Sequence, residues 1–196
     1  YISRPLVWYR PEVIGELGDW VYDDSGDYPI VSNGVWRFKA ELQGGEFVAV
    51  KTVDGWPTEL STLDFTGTVS DRIGHPCSFS SLDCGFATEF GGSPYYQPTK
   101  AHEAAQYVGD LRIPTTGITS IGGGSFAFCV NLTNVVNYLP DSVNTLGSGA
   151  FFKVPAQQDL KLKGLVNSTY NIFYQAGVTS VEFGPNLKSF SDAWEN

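Results

Sequence analysis

The chain has no methionine, and only two histidines and three cysteines among its 196 residues. His75 and His102 do not stand in a metal-ligating spacing such as a pair at i and i+4, so no metal site is expected from them. Three cysteines permit at most one internal disulfide, and Cys77 and Cys84 are the pair close enough in sequence to form it, which would fit an oxidising compartment. Charge is also scarce. Only 17% of residues are charged, and the 12 basic residues never stand side by side, against 21 acidic ones for a net charge of −9. A polyanion would be repelled by such a surface, so nucleic acid is not an expected partner. No apolar run approaches the roughly 18 residues that span a bilayer, so membrane insertion is not expected either. Long helices are missing as well: Lys100 to Val108, with Ala101, Ala104, Ala105 and Val108 on one side, is the one stretch that reads as a helix.

What the chain does have is 42% hydrophobic residues, 14% aromatics, 22 glycines and 11 prolines. That balance favours short strands and frequent turns, so the expected fold is mainly β. Residues 1–18 read as an extended arm. Pro5 and Pro11 interrupt any helix there, while Leu6, Val7, Trp8 and Tyr9 are too apolar to remain in water and are expected to contact a partner or another subunit. Residues 19–57 read as a small antiparallel β unit containing Trp20, Trp36 and Trp56. Its centre is a hairpin, with Val35–Leu42 alternating, Gly44-Gly45 turning, and Phe47–Val53 returning.

The C-terminal half repeats. Ile118, Val143, Leu165 and Leu187 are separated by 25, 22 and 22 residues, and Phe126, Phe151, Phe173 and Trp194 by 25, 22 and 21. Two apolar columns with one period describe coils that cannot bury their own faces alone and must stack. A glycine follows the hydrophobic residue in the first two coils, at Gly122 and Gly147, where a turn excludes a side chain.

The segments Ile118-Thr-Ser-Ile121-Gly122 with Phe126 and Cys129, and Leu139-Pro140 with Val143, Leu146-Gly147 and Ala150-Phe151, resemble the BspA-type leucine-rich repeat. The resemblance covers residues 109–196 and implies a solenoid there. The third coil departs from the pattern by lacking the Gly and Ala-Phe elements, and the last is shortened to Phe190-Ser-Asp-Ala193-Trp194. Residues 58–108 read as an earlier coil, Leu60-Ser-Thr-Leu63-Asp-Phe65 with Val69, Ile73-Gly74 and Cys77, followed by an insertion from about 83.

No motif carries catalysis. His75-Pro76-Cys77 sets a base near a thiol, but a turn beside a core or disulfide cysteine is the preferred reading. Cys129 reads as a buried small apolar residue. Gly122-Gly123-Gly124 lacks the lysine of a phosphate loop. Asp23, Asp24 and Asp27 crowd carboxylates as calcium sites do, without the spacing or the closing glutamate. No cofactor and no catalytic residue is expected. Asn131-Leu-Thr133 and Asn167-Ser-Thr169 are sequons that a secretory pathway could glycosylate. The resemblance implies a non-catalytic structural or adhesive interaction protein of a cell surface, extracellular or virion assembly, with a protein partner or further copies of itself. The alternative is a carbohydrate-binding module using Trp56, Tyr95 and Tyr96.

Overall fold

The computed structural model describes residues 19–89, 96–98, 100–132, 139–155, 160–169 and 171–190. The expected arm with Leu6, Val7, Trp8 and Tyr9 lies outside them, as do Tyr95 and Trp194. The fold is mainly β.

Six strands close on themselves. They are β1 (Trp20–Asp23), β2 (Ile30–Ser32), β3 (Arg37–Gln43), β4 (Phe47–Gly55), β6 (Val69–Asp71) and β7 (Pro76–Leu82), with β5 (Ser61–Asp64) between β4 and β6 in the chain. The strands β1 to β4 form an antiparallel meander, β4 pairs parallel with β7, β7 antiparallel with β6, and β6 parallel with β1. The β3–β4 hairpin turns through Gly44 and Gly45 at φ of 61° and 76°. Two successive left-handed residues match the twist of a tight hairpin. The result is barrel-like, and it is filled rather than hollow. Trp20 stacks on Phe65 at 5.1 Å and meets Phe79 edge-on at 5.8 Å, with Phe38 at 6.0 Å. Each such aromatic pair adds about 0.5–1.5 kcal/mol beyond the area it buries. The 19–57 strands thus share one sheet with β6 and β7, which lie beyond residue 57.

From β7 the sheet continues as a parallel ladder through β11 (Ser120–Ile121), β12 (Thr145–Leu146) and β14 (Asn167–Ser168). Leu82, Ile121 and Leu146 are in register and buried, and an isolated bridge pairs Asn167 with Ser189. On the other side of the coils are two separate two-stranded sheets, β5 pairing parallel with β10 (Val108–Arg112), and β13 (Leu160–Leu162) with β15 (Val181–Phe183). Between the two sides runs a column of rings. Trp36, Phe86, Phe126, Phe151 and Phe173 follow one another at centroid distances of 6.5, 6.4, 5.5 and 5.3 Å. Backbone bonds tie coil to coil, with Gly122 N donating to Leu82 O and Gly147 N to Ile121 O, both at 2.7 Å. A Cβ on Gly147 would run into the backbone of Gly122 and Gly123, so this close approach excludes a side chain. In the third coil Thr169 stands in the equivalent place, and its hydroxyl donates to Leu146 O at 2.9 Å.

Three expectations are corrected. The earlier coil does not place Ile73-Gly74 in the ladder: Ile73 is 69% exposed in the turn between β6 and β7, and Phe79–Leu82 with Phe86 hold the repeat positions instead. The expected insertion therefore begins after Phe86 rather than at about 83; it contains the hairpin of β8 (Ala87–Glu89) and β9 (Tyr96–Pro98), and Lys100–Tyr107 as a 3₁₀ helix. The Cys77–Cys84 disulfide is absent and both are free thiols. Cys77 is the second residue of β7, and extended backbone carries the chain about 15 Å from it to Leu82. A disulfide needs its Cα atoms roughly 5–6 Å apart.

Candidate interaction surface

Strand alternation builds the surface. In the ladder Leu82, Ile121 and Leu146 are buried, so the residue before each faces away from the core. Those outward residues are Ser81, Ser120, Thr145 and Asn167, in register across the pairings, with Ser189 following at the bridge. Ser81 and Ser120 are half-buried and the other three exposed. Neighbouring strands lie about 4.8 Å apart, so five positions form a row of about 19 Å. Ser189 Oγ donates to Asn167 Oδ1 at 3.2 Å, and Thr145 Oγ1 to Asn144 Oδ1 at 2.9 Å, which steadies two side chains of the row. The row contains no ionisable group, in a chain of net charge −9.

The two short sheets opposite, β5 with β10 and β13 with β15, are charged. Arg112 Nε pairs with Asp110 at 3.0 Å and its Nη1 lies 3.9 Å from Asp64, whose other oxygen accepts from Thr66 N at 2.7 Å. Farther along, Lys163 pairs with Glu182 at 3.3 Å. The two sides of the coils therefore offer different chemistry to a partner.

The other residues singled out in the sequence fall into place individually. Cys77 Sγ lies 3.6 Å from His75 O, and His75 Nδ1 lies 3.0 Å from Asp71. Burial and then the Asp71 charge push the Cys77 thiol up, away from the thiolate a nucleophile needs. Cys84 and Cys129 are fully buried, and burial raises both thiols well above their ordinary value. His102 meets Phe128 edge-on at 5.8 Å. The Asp23 carboxylate accepts from Ser25 N at 2.8 Å and is held below the usual range, chiefly by Ser25. Among the described residues no three His, Cys, Asp or Glu side chains are grouped to hold a metal. Asn131 is exposed but its Nδ2 donates to Gln106 O at 2.7 Å, and Asn167 is the outward residue of β14. Trp56 is half-buried against the core on the wall of an open groove of about 680 Å³, beside Leu60 and Glu59. Tyr96 belongs to β9.

Sequence reasoning missed the outward row. Its trace is the dipeptide before Ile121, Leu146 and Ser168, that is Thr119-Ser120, Asn144-Thr145 and Val166-Asn167, of which only the register shows that the second members align.

The family description "BspA type Leucine rich repeat region" matches residues 99–194, in six copies. The chain carries a BspA-type leucine-rich repeat region. The match starts ten residues before the 109 expected from the repeat columns and takes in the 3₁₀ helix. The BspA-type region is preceded by strand β7, which lies outside the match yet joins the same ladder through Leu82. No curated protein and no solved structure matches the chain.

Proposed function

We propose that the chain is a non-catalytic structural or adhesive interaction protein, in which the BspA-type coils stack as a solenoid on the barrel-like sheet and hold a protein partner against the Ser81–Ser189 row. Repeats of this type point to protein–protein contact or adhesion. The carrying observation is the row itself: aligned, outward, and free of ionisable side chains in an acidic chain. A neutral surface of hydroxyls and amides costs less to desolvate than a charged one and can bond to a partner's backbone. The setting that fits this role is a cell surface, an extracellular matrix or a virion.

A photo-crosslinking residue at Thr145, with one at Lys161 on the opposite side as control, tests the site. Protein adducts from Thr145 and not from Lys161, in material from the native source, support it. Equal adducts from both, or none from Thr145, overturn it. The carbohydrate-binding alternative rests on Trp56, whose ring shares its groove with Thr58, Glu59 and Ser61, an aromatic face beside polar groups. A glycan array that binds the chain and loses that binding in Trp56→Ala would favour it.

A further inference from the structure

A second groove, of about 260 Å³, opens where β6 and β7 meet the segment before β11. Phe65, Val69, Pro76, Cys77, Phe79 and Pro114 contribute to its lining, together with small hydroxyl and glycine residues. None of the twelve lining residues is Asp, Glu, Lys, Arg or His, in a chain with 21 acidic and 12 basic residues. An uncharged apolar groove in so acidic a chain suits an uncharged apolar occupant.

The described chain starts at the rim of this groove. Asp19 Oδ1 accepts from Thr68 Oγ1 at 2.9 Å and Thr68 N at 3.3 Å, and Trp20 N donates to Thr68 O at 2.8 Å. Thr68 itself lines the groove. β1 runs parallel to β6 with Trp20 opposite Val69, so Asp19 sits beside Thr68, next in sequence to the lining residues Gly67 and Thr66.

We propose that this groove receives the chain's own N-terminal segment, seated through Leu6, Val7, Trp8 and Tyr9. Residues 10–18 join that cluster to Asp19 and include Pro11, Gly15 and Gly18, the residue types that reverse a chain. Closing so short a loop is cheap, because the entropic cost grows only with the logarithm of length. A tethered segment also competes at an effective concentration on the order of millimolar, above what a second copy reaches in dilute solution. The cluster buried in its own groove does not then serve as a hook for another subunit.

Cys77 reports on the groove. It lines it and is partly exposed, whereas Cys84 and Cys129, the only other thiols in the chain, are fully buried. A soluble disulfide reagent applied to the native chain therefore reads Cys77. The expected result is that the intact chain reacts about tenfold more slowly than a chain lacking residues 1–12, the protection given by a docked population near ten to one. The rate should not change on dilution. Trp8→Ser in the intact chain should react faster, and a peptide of residues 1–12 added to the shortened chain should restore protection. Equal rates for the intact chain and for Trp8→Ser overturn the proposal even where the deletion fails to fold. A rate that rises as the intact chain is diluted assigns the groove to a second copy and overturns it too.

Discussion

The indole of Trp20 donates its Nε1–H to the backbone oxygen of Asp64 at 2.7 Å, and so blocks the edge of a strand to which Trp20 does not belong. Trp36 does the same two residues earlier, its Nε1 reaching Thr62 O at 3.2 Å. Among the described strands β5 pairs only with β10, and an unpaired edge next to a barrel would leave these oxygens unsatisfied. Both rings are buried, at 1% and 0% exposure. The two tryptophans therefore end the β5–β10 sheet where the barrel begins.

Trp20→Phe keeps an aromatic ring in the barrel and removes the donor. The expected loss is about 1–3 kcal/mol, the cost of leaving a buried carbonyl without a partner. Urea unfolding of the two proteins measures it. A difference near zero would mean that water or another donor reaches Asp64 O.

Phe151 is fully buried and lies between Phe126 at 5.5 Å and Phe173 at 5.3 Å, nearly parallel to both. Phe151→Ala should cost about 3–5 kcal/mol, because it removes a large ring from the middle of a packed column. Thermal unfolding checks this, and an unchanged melting temperature would reject stacking of the coils through the ring column.

Gly122 and Gly147 occupy equivalent places in successive coils but should not respond alike. A Cβ at Gly147 meets the backbone of Gly122 and Gly123, while one at Gly122 meets the side chain of Asp83, with Cγ at 2.6 Å. Rotation can carry the Asp83 Cγ and Oδ1 away and leave only its Cβ, at 2.9 Å, in contact, whereas a backbone cannot rotate aside. Gly147→Ala should therefore be the more damaging, by roughly 1–3 kcal/mol as for an overpacked core, and Gly122→Ala the milder. Denaturant midpoints of the two variants give the order.

Asp83 lies at the join between barrel and coils, and desolvation raises its carboxyl above the ordinary 3.8, against the pull of Lys51. A raised folded-state value means that the folded protein holds its proton longer than the unfolded chain does. Stability from this group is then full in acid and is lost as pH rises through the ordinary Asp value and beyond it. Asp83→Asn removes that loss, so the variant should gain on the wild type between pH 3 and pH 7. Unfolding at both values tests the sign; a variant that is relatively weaker at pH 7 would show that the carboxylate is favourably paired.

The repeat region was legible because each coil has to bury the same two places. Ile118, Val143 and Leu165 are buried in turn, as are Phe126, Phe151 and Phe173, and local spacing alone records that demand. The β3–β4 hairpin was legible for a similar reason: alternation and a Gly-Gly turn are both local signals. The closure of the barrel was not. It depends on β1 meeting β6 across about fifty residues and on β4 lying parallel to β7, and neither pairing leaves a mark on nearby sequence. That same parallel pairing makes Phe79–Leu82 the start of the ladder, although Ile73-Gly74 fits the motif better as text. The outward row, the tryptophan edge caps and the uncharged groove were settled in the same way. Composition and period determined that the chain is β-rich and repeats, since both follow from what each short segment must bury; which strand lies beside which was decided only in three dimensions, where distant segments compete for the same edge and packing chooses between them.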